Sequence, residues 1–154
     1  MIKEITKHSG EIIIISKNKD GSIKKEILYN RVTDDFLDAI ANILDGISPD
    51  YELKYFAIGD DASALTDNPT TLGNEIVRFP LDTSNLTNIG EFTTTFTVLE
   101  LEAVFEWQEI GFFGGASASI SVDSGVLISR ILFYKDKTSL EEIDISRIDK
   151  FRRN

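Results

Sequence analysis

Glu91-Phe92-Thr93-Thr94-Thr95-Phe96-Thr97-Val98-Leu99-Glu100-Leu101-Glu102-Ala103-Val104-Phe105-Glu106 is the stretch that decides the fold class. Phe92, Thr94, Phe96 and Val98 alternate with Thr93, Thr95 and Thr97, the period of a half-buried strand. The phase shifts by one at Val98-Leu99. Leu99, Leu101, Ala103 and Phe105 then alternate with Glu100, Glu102 and Glu106. That pattern predicts a bulge or bend, with the strand continuing beyond it.

Strand signals recur on both sides. Glu11 to Lys17 holds Ile12-Ile13-Ile14-Ile15, four β-branched residues in a row. A turn cluster, Lys17-Asn18-Lys19-Asp20-Gly21-Ser22, separates it from Ile23–Tyr29, so residues 11–29 read as a hairpin. Leu53–Ile58, Glu75–Leu81, Glu109–Phe113 and Val126–Tyr134 read as further strands. Residues 59–74, 82–90 and 114–119 read as loops. One helix stands out over Val32–Asp45. Thr33 is its N-cap, Asp34 and Asp35 lie in the first turn, and Gly46 follows the last. Phe36, Ile40 and Leu44 form its apolar stripe, with Leu37 and Ile43 beside it. The tail supports two readings. Ser139-x-x-Glu142 is a capping box, whereas Ile143-Asp144-Ile145 alternates like a strand. Many short strands with polar loops predict an all-β fold, mainly an antiparallel, jelly-roll-like β-sandwich, with one α-helix near residues 33–45. The expected organisation is a single domain over residues 1–154, with residues 1–30 as a candidate N-terminal docking hairpin.

Composition narrows the function classes. The chain has no Cys and a single His, so Cys-based zinc sites, thiolate catalysis and multi-His cages are excluded. No apolar run approaches a membrane span, and the N-terminus carries no signal-peptide pattern. Residues 31–133 hold 4 basic and 17 acidic groups, against 6 and 4 in residues 1–30. An acidic middle argues against nucleic acid and anionic lipid as partners. Its simplest use is solubility.

Four groupings invite a chemical reading. Asp60 and Asp61 with Asp67 offer hard oxygen ligands, but the spacing is not that of an EF-hand, and loop Asp residues commonly bond their own turns. Glu100, Glu102, Glu106 and Glu109 around Trp107 suggest a glycosidase pair, yet three of them fall on the polar phase of the strand. Trp107, Phe112 and Phe113 offer a sugar-stacking platform, with core packing as the plainer use. Arg130, alone in an apolar strand, either holds an internal carboxylate or marks the solvent side.

Four segments also recur in a familiar order: Phe56-Ala57-Ile58-Gly59-Asp60; Thr71-Leu72-x-Asn74-Glu75-x-x-Arg78; Glu109-Ile110-Gly111-Phe112-Phe113; and Gly125-Val126-Leu127-Ile128-Ser129-Arg130-Ile131-Leu132-Phe133. With Phe92-x-x-x-Phe96 and Glu102 between them, they resemble structural proteins of tailed bacteriophages, in their tail-fibre, collar and baseplate components. The resemblance spans residues 56–133. Asp60 stands where a small residue is usual and Phe112 where Leu is. The resemblance implies a β-sandwich, a virion location after synthesis in the host cytoplasm, and no enzymatic activity or cofactor. It makes the tail after Tyr134 a closing strand. The implied partners are other copies of the chain and other phage structural proteins. A receptor- or carbohydrate-binding sandwich, in the adsorption apparatus or as a bacterial adhesin, is the alternative, with a host surface glycan as partner. Four consecutive Ile place two side chains on each face of a strand. Ile12, Ile13, Ile14 and Ile15 are therefore the expected interface residues of a homo-oligomer.

Overall fold

The structure, a computed structural model, describes residues 6–30, 32–46 and 52–153. Nine strands and one helix lie among them: β1 (Thr6–Asn18), β2 (Ile23–Tyr29), α1 (Asp34–Leu44), β3 (Leu53–Gly59), β4 (Glu75–Pro80), β5 (Thr83–Asn88), β6 (Glu91–Val98), β7 (Glu106–Gly114), β8 (Val126–Asp136) and β9 (Glu141–Arg153). They form an all-β antiparallel sandwich. Sheet A has the order β2-β1-β9-β6-β5 and sheet B the order β4-β3-β7-β8.

Alternation sets the core. In sheet A, Ile14 lies opposite Ile145, which lies opposite Phe96. Ser16, Ile143 and Val98 form the next row on the same face. Sheet B contributes Phe56, Ile58, Ile110, Phe112 and Trp107, all fully buried. Phe56 contacts Phe96, Phe112 and Trp107 at ring-centroid distances of 5.9, 5.4 and 6.3 Å. A register shift between Trp107 and Glu109 keeps Trp107, Ile110 and Phe112 on the core face although their numbers change parity.

The first hairpin forms as its sequence predicts. Gly21 supplies a φ of +86° that other residues resist, and the Asp20 carboxylate accepts the Ser22 N–H. Yet β1 is no free arm. It is an interior strand, paired with β2 on one side and along its full length with β9 on the other. Ile12 and Ile14 are fully buried in the chain's own core. Only Ile13 and Ile15, on the opposite face, remain within reach of a second copy.

The helix also forms where expected. Thr33 Oγ1 accepts the Phe36 N–H and donates to the carbonyl of Leu127, tying α1 to β8. Phe36 and Ala39 are buried and Ile40 packs on the core. Leu44 does not join them and is 84% exposed. Steps of four residues drift by roughly 40° each, so Leu44 lies about 80° around the helix from Phe36.

Two expectations are corrected, and one open reading is decided. Residues 82–90, read as a loop, contain β5. Its residues are all exposed, so no apolar alternation announces a strand held by backbone bonds to β6. The strand does not continue through Leu99–Phe105. Leu99 and Leu101 are exposed, and Ala103 has a φ of +46°. Lys137 holds this turn from below: its buried ammonium donates to the carbonyls of Leu99, Glu100 and Thr138 at 3.0, 2.9 and 3.3 Å. The tail takes the strand reading of its two. It is β9, the middle strand of sheet A, and Glu141 accepts the Thr138 N–H at the entrance to it.

Candidate functional site

The centre of sheet B is buried on both faces. Its inner face meets sheet A. On its outer face Ala57, Leu72, Phe113 and Leu127 form a second apolar cluster, to which the 60–74 loop contributes Leu72. Loops lack ladder hydrogen bonds, so their backbone groups need other partners when buried. Two carboxylate–guanidinium pairs provide them.

The first pair lies on β4. Arg78 donates to both oxygens of Glu75, from Nε at 2.5 Å and from Nη2 at 2.7 Å. Its Nη1 reaches across to the carbonyls of Ser119 and Ser124, at 3.0 and 2.9 Å. Glu75 also accepts the Asp123 N–H at 2.9 Å. The guanidinium sits 4.4 Å from the Phe113 ring centroid and 5.5 Å from that of Tyr55. One pair thus holds the 115–125 loop to the sheet.

The second pair joins β7 to β8. Arg130 Nε donates to Glu109 Oε2 at 2.5 Å. The same carboxylate accepts the N–H groups of Gly73 and Asn74 at 2.9 and 2.8 Å, which holds the end of the 60–74 loop. Two glycines make room for it. A Cβ on Gly59 would lie 2.4 Å from Glu109 Oε1, and one on Gly111 would lie 2.6 Å from a methyl of Leu72.

A third buried cluster sits between the sheets. Arg147 donates to both oxygens of Asp149, at 2.7 and 2.9 Å, and to Ser129 Oγ at 2.7 Å. His8 Nε2 lies 2.8 Å from Asp149 Oδ1. Burial pushes the Asp149 carboxyl up, but the Arg147 guanidinium and the His8 hydrogen bond outweigh it and hold the group at about 2. Above this cluster opens a cavity of about 190 Å³, lined mainly by Phe36, Leu53, Leu81, Phe92 and Ile128.

These positions settle several candidate readings. Arg130 holds an internal carboxylate, Glu109. That carboxylate is fully buried and engaged by three donors, so it is poorly placed to transfer a proton to anything outside. The other acids of the suggested glycosidase group are spent locally. Glu102 accepts the Leu99 N–H, Glu106 accepts from Gln108, and Glu100 pairs with Lys19. Trp107, Phe112 and Phe113 cannot form a sugar platform. All three are fully buried, and the Trp107 indole N–H donates to the carbonyl of Ala103. Asp61 accepts from both the N–H and the hydroxyl of Ser63, while Asp60 accepts from Asn74. Among the described residues, no three His, Cys, Asp or Glu side chains converge on one point.

The sequence reading passed over Lys137 and the Arg147–Asp149–His8 cluster. One signal was present. Ile143, Ile145, Arg147 and Asp149 share a phase, so two charged residues occupy the buried side of a strand.

Residues from the four motif segments meet in one place. Ala57, Gly59, Leu72, Asn74, Glu75, Arg78, Glu109, Gly111, Phe113, Leu127 and Arg130 all build the loop-covered face of sheet B. No family model matches the chain, nor does any curated protein or solved structure.

Proposed function

We propose that the chain is a non-enzymatic structural protein of a tailed-phage virion. It assembles in the tail, baseplate or neck with copies of itself and with other structural proteins of the particle. The observation that supports this reading is the convergence of the four motif segments. Residues spread over 56–133 meet on one face, where Glu75, Arg78, Glu109 and Arg130 hold two loops to the sheet. A carboxylate, a guanidinium or a missing Cβ fastens a loop to a sheet. A signature of this kind describes a rigid scaffold displaying two latched loops, which suits a part that bears load in an assembly. The buried carboxylates are consumed in fastening the loops.

The test is direct. Antibodies raised against the purified chain are applied to phage particles whose genome encodes it, and gold-labelled particles are imaged. Label at the tail, baseplate or neck is expected. Intact particles that carry no label, with the chain free in the lysate, would overturn the proposal.

A further inference from the structure

Among the exposed apolar surfaces of the described residues, two stripes differ in charge. On β2 the outward residues are Ile23, Lys25, Ile27 and Tyr29, with Ile23, Ile27 and Tyr29 exposed by 69, 49 and 76%. A lysine therefore sits in the middle of an apolar stripe. On α1 the outward side carries Leu37, Ala41 and Leu44, with Leu37 and Leu44 exposed by 49 and 84%. Asp34, Asp38 and Asp45 run alongside them. By helical geometry, these three fall within roughly 100° of the Leu37–Leu44 stripe. Single exposed apolar residues are ordinary, but stripes of three are candidate contact surfaces.

The patches cannot meet within one chain. Strand alternation turns Ile23, Ile27 and Tyr29 away from sheet B, whereas α1 packs against β8 of sheet B. Edge pairing is also disfavoured, because Lys24 and Lys25 lie together on the open edge strand. What fits the β2 stripe is an apolar ridge with carboxylates beside it to face Lys25, and α1 of another copy is one.

We propose that α1 of one copy docks on the outer face of β2 of a second, with Leu37 and Leu44 against Ile23, Ile27 and Tyr29, and with Lys25 facing the Asp34–Asp38–Asp45 row. This deepens the assembly reading above and rests on it. The contact uses two different surfaces, so repeating it builds a ring where the rotation closes and an open filament where it does not.

The experiment uses the intact chain and reads mass by analytical ultracentrifugation. One variant carries Leu37→Glu and Leu44→Glu; another carries Ile23→Lys and Ile27→Lys. Circular dichroism checks that each stays folded, as substitutions at exposed positions allow. Each variant alone is expected to associate about a hundredfold more weakly than wild type. Mixed together, they are expected to form a two-chain species, since each supplies the patch that the other lacks. As a gentler pair, Lys25→Glu weakens association and Asp38→Lys added to it restores it. Variants that associate as tightly as wild type overturn the inference and leave the assembly reading standing. A wild type that is monomeric even at millimolar concentration overturns both self-association and this contact, while labelled particles would still support a virion part held by other proteins.

Discussion

Sheets A and B share a core but differ on their outer faces. Sheet B is covered by the 60–74 and 115–125 loops, and the covering is fastened by two buried ion pairs and cut to fit by glycines. Sheet A presents Ile13, Ile15, Ile27 and Tyr29 on one side and Thr83, Thr93, Thr95 and Thr97 on the other, with no loop over them among the described residues. Its charges are matched across strands, as Lys17 is with Asp144 and Lys150 with Glu11. The contrast teaches where polar chemistry is spent. Regular strands satisfy their own backbone groups, so the outer face of sheet A needs no buried charge to fasten it, and its buried charges, Arg147 and Asp149, lie on the inner face. A loop on a sheet has unpaired N–H and C=O groups, and a buried carboxylate or guanidinium answers several at once.

The sharpest way to break this contrast is to remove one half of a latch. Arg130→Ala leaves the Glu109 carboxylate buried without its cation, and a loss of about 3–5 kcal/mol is expected in urea denaturation. Combining it with Glu109→Met should recover part of that loss, because an apolar pair carries no unpaired charge. A loss under about 1 kcal/mol from Arg130→Ala would mean that the pair does not hold the loop.

Acid sharpens the comparison on the sheet A side. The Asp149 carboxyl is ordinarily near 3.8 and is held at about 2 in the folded chain. A carboxylate depressed on folding contributes stability above its unfolded value and loses it as pH falls toward its folded value. That contribution, roughly 2 kcal/mol, is therefore expected to vanish between about pH 4 and pH 2. Asp149→Asn should flatten this part of the pH–stability curve. An identical slope in wild type and variant would exclude the cluster as its source.

Helix α1 gives the smallest and most discriminating pair. Ile40, half-buried on the core, is expected to cost about 1–2 kcal/mol as Ile40→Ala, below the range for full burial. Leu44→Ala should change the unfolding free energy by less than about 0.5 kcal/mol. Equal effects would mean that Leu44 is covered in the chain itself.

How much of this was legible follows from the same contrast. The core between the sheets was readable because period-two alternation in Phe92–Val98 reports directly on burial. The hairpin and the helix cap were readable because Asp-Gly and Thr33 act locally. β5 was not, since an edge strand exposed on both faces has no hydrophobic pattern to show. The false strand at Leu99–Phe105 had the pattern without the burial, and what bends it away is Lys137, distant in sequence. Arg130 could be narrowed to an internal pair or a solvent site, but its partner Glu109 lies 21 residues away and was grouped instead with its sequence neighbours. Pairing across strands is set by topology, which single-residue patterns do not carry.

Backbone hydrogen exchange across the outer face of sheet B tests the central claim most directly. The amides of Gly73, Asn74 and Asp123 lie in or beside loops, yet each donates to a buried carboxylate. If the loops are latched, these three exchange as slowly as neighbouring strand amides, and Glu109→Met, which removes both acceptor oxygens, releases Gly73 and Asn74 while leaving Asp123 protected. Exchange of all three at the rate of an open loop in the wild type would contradict the account.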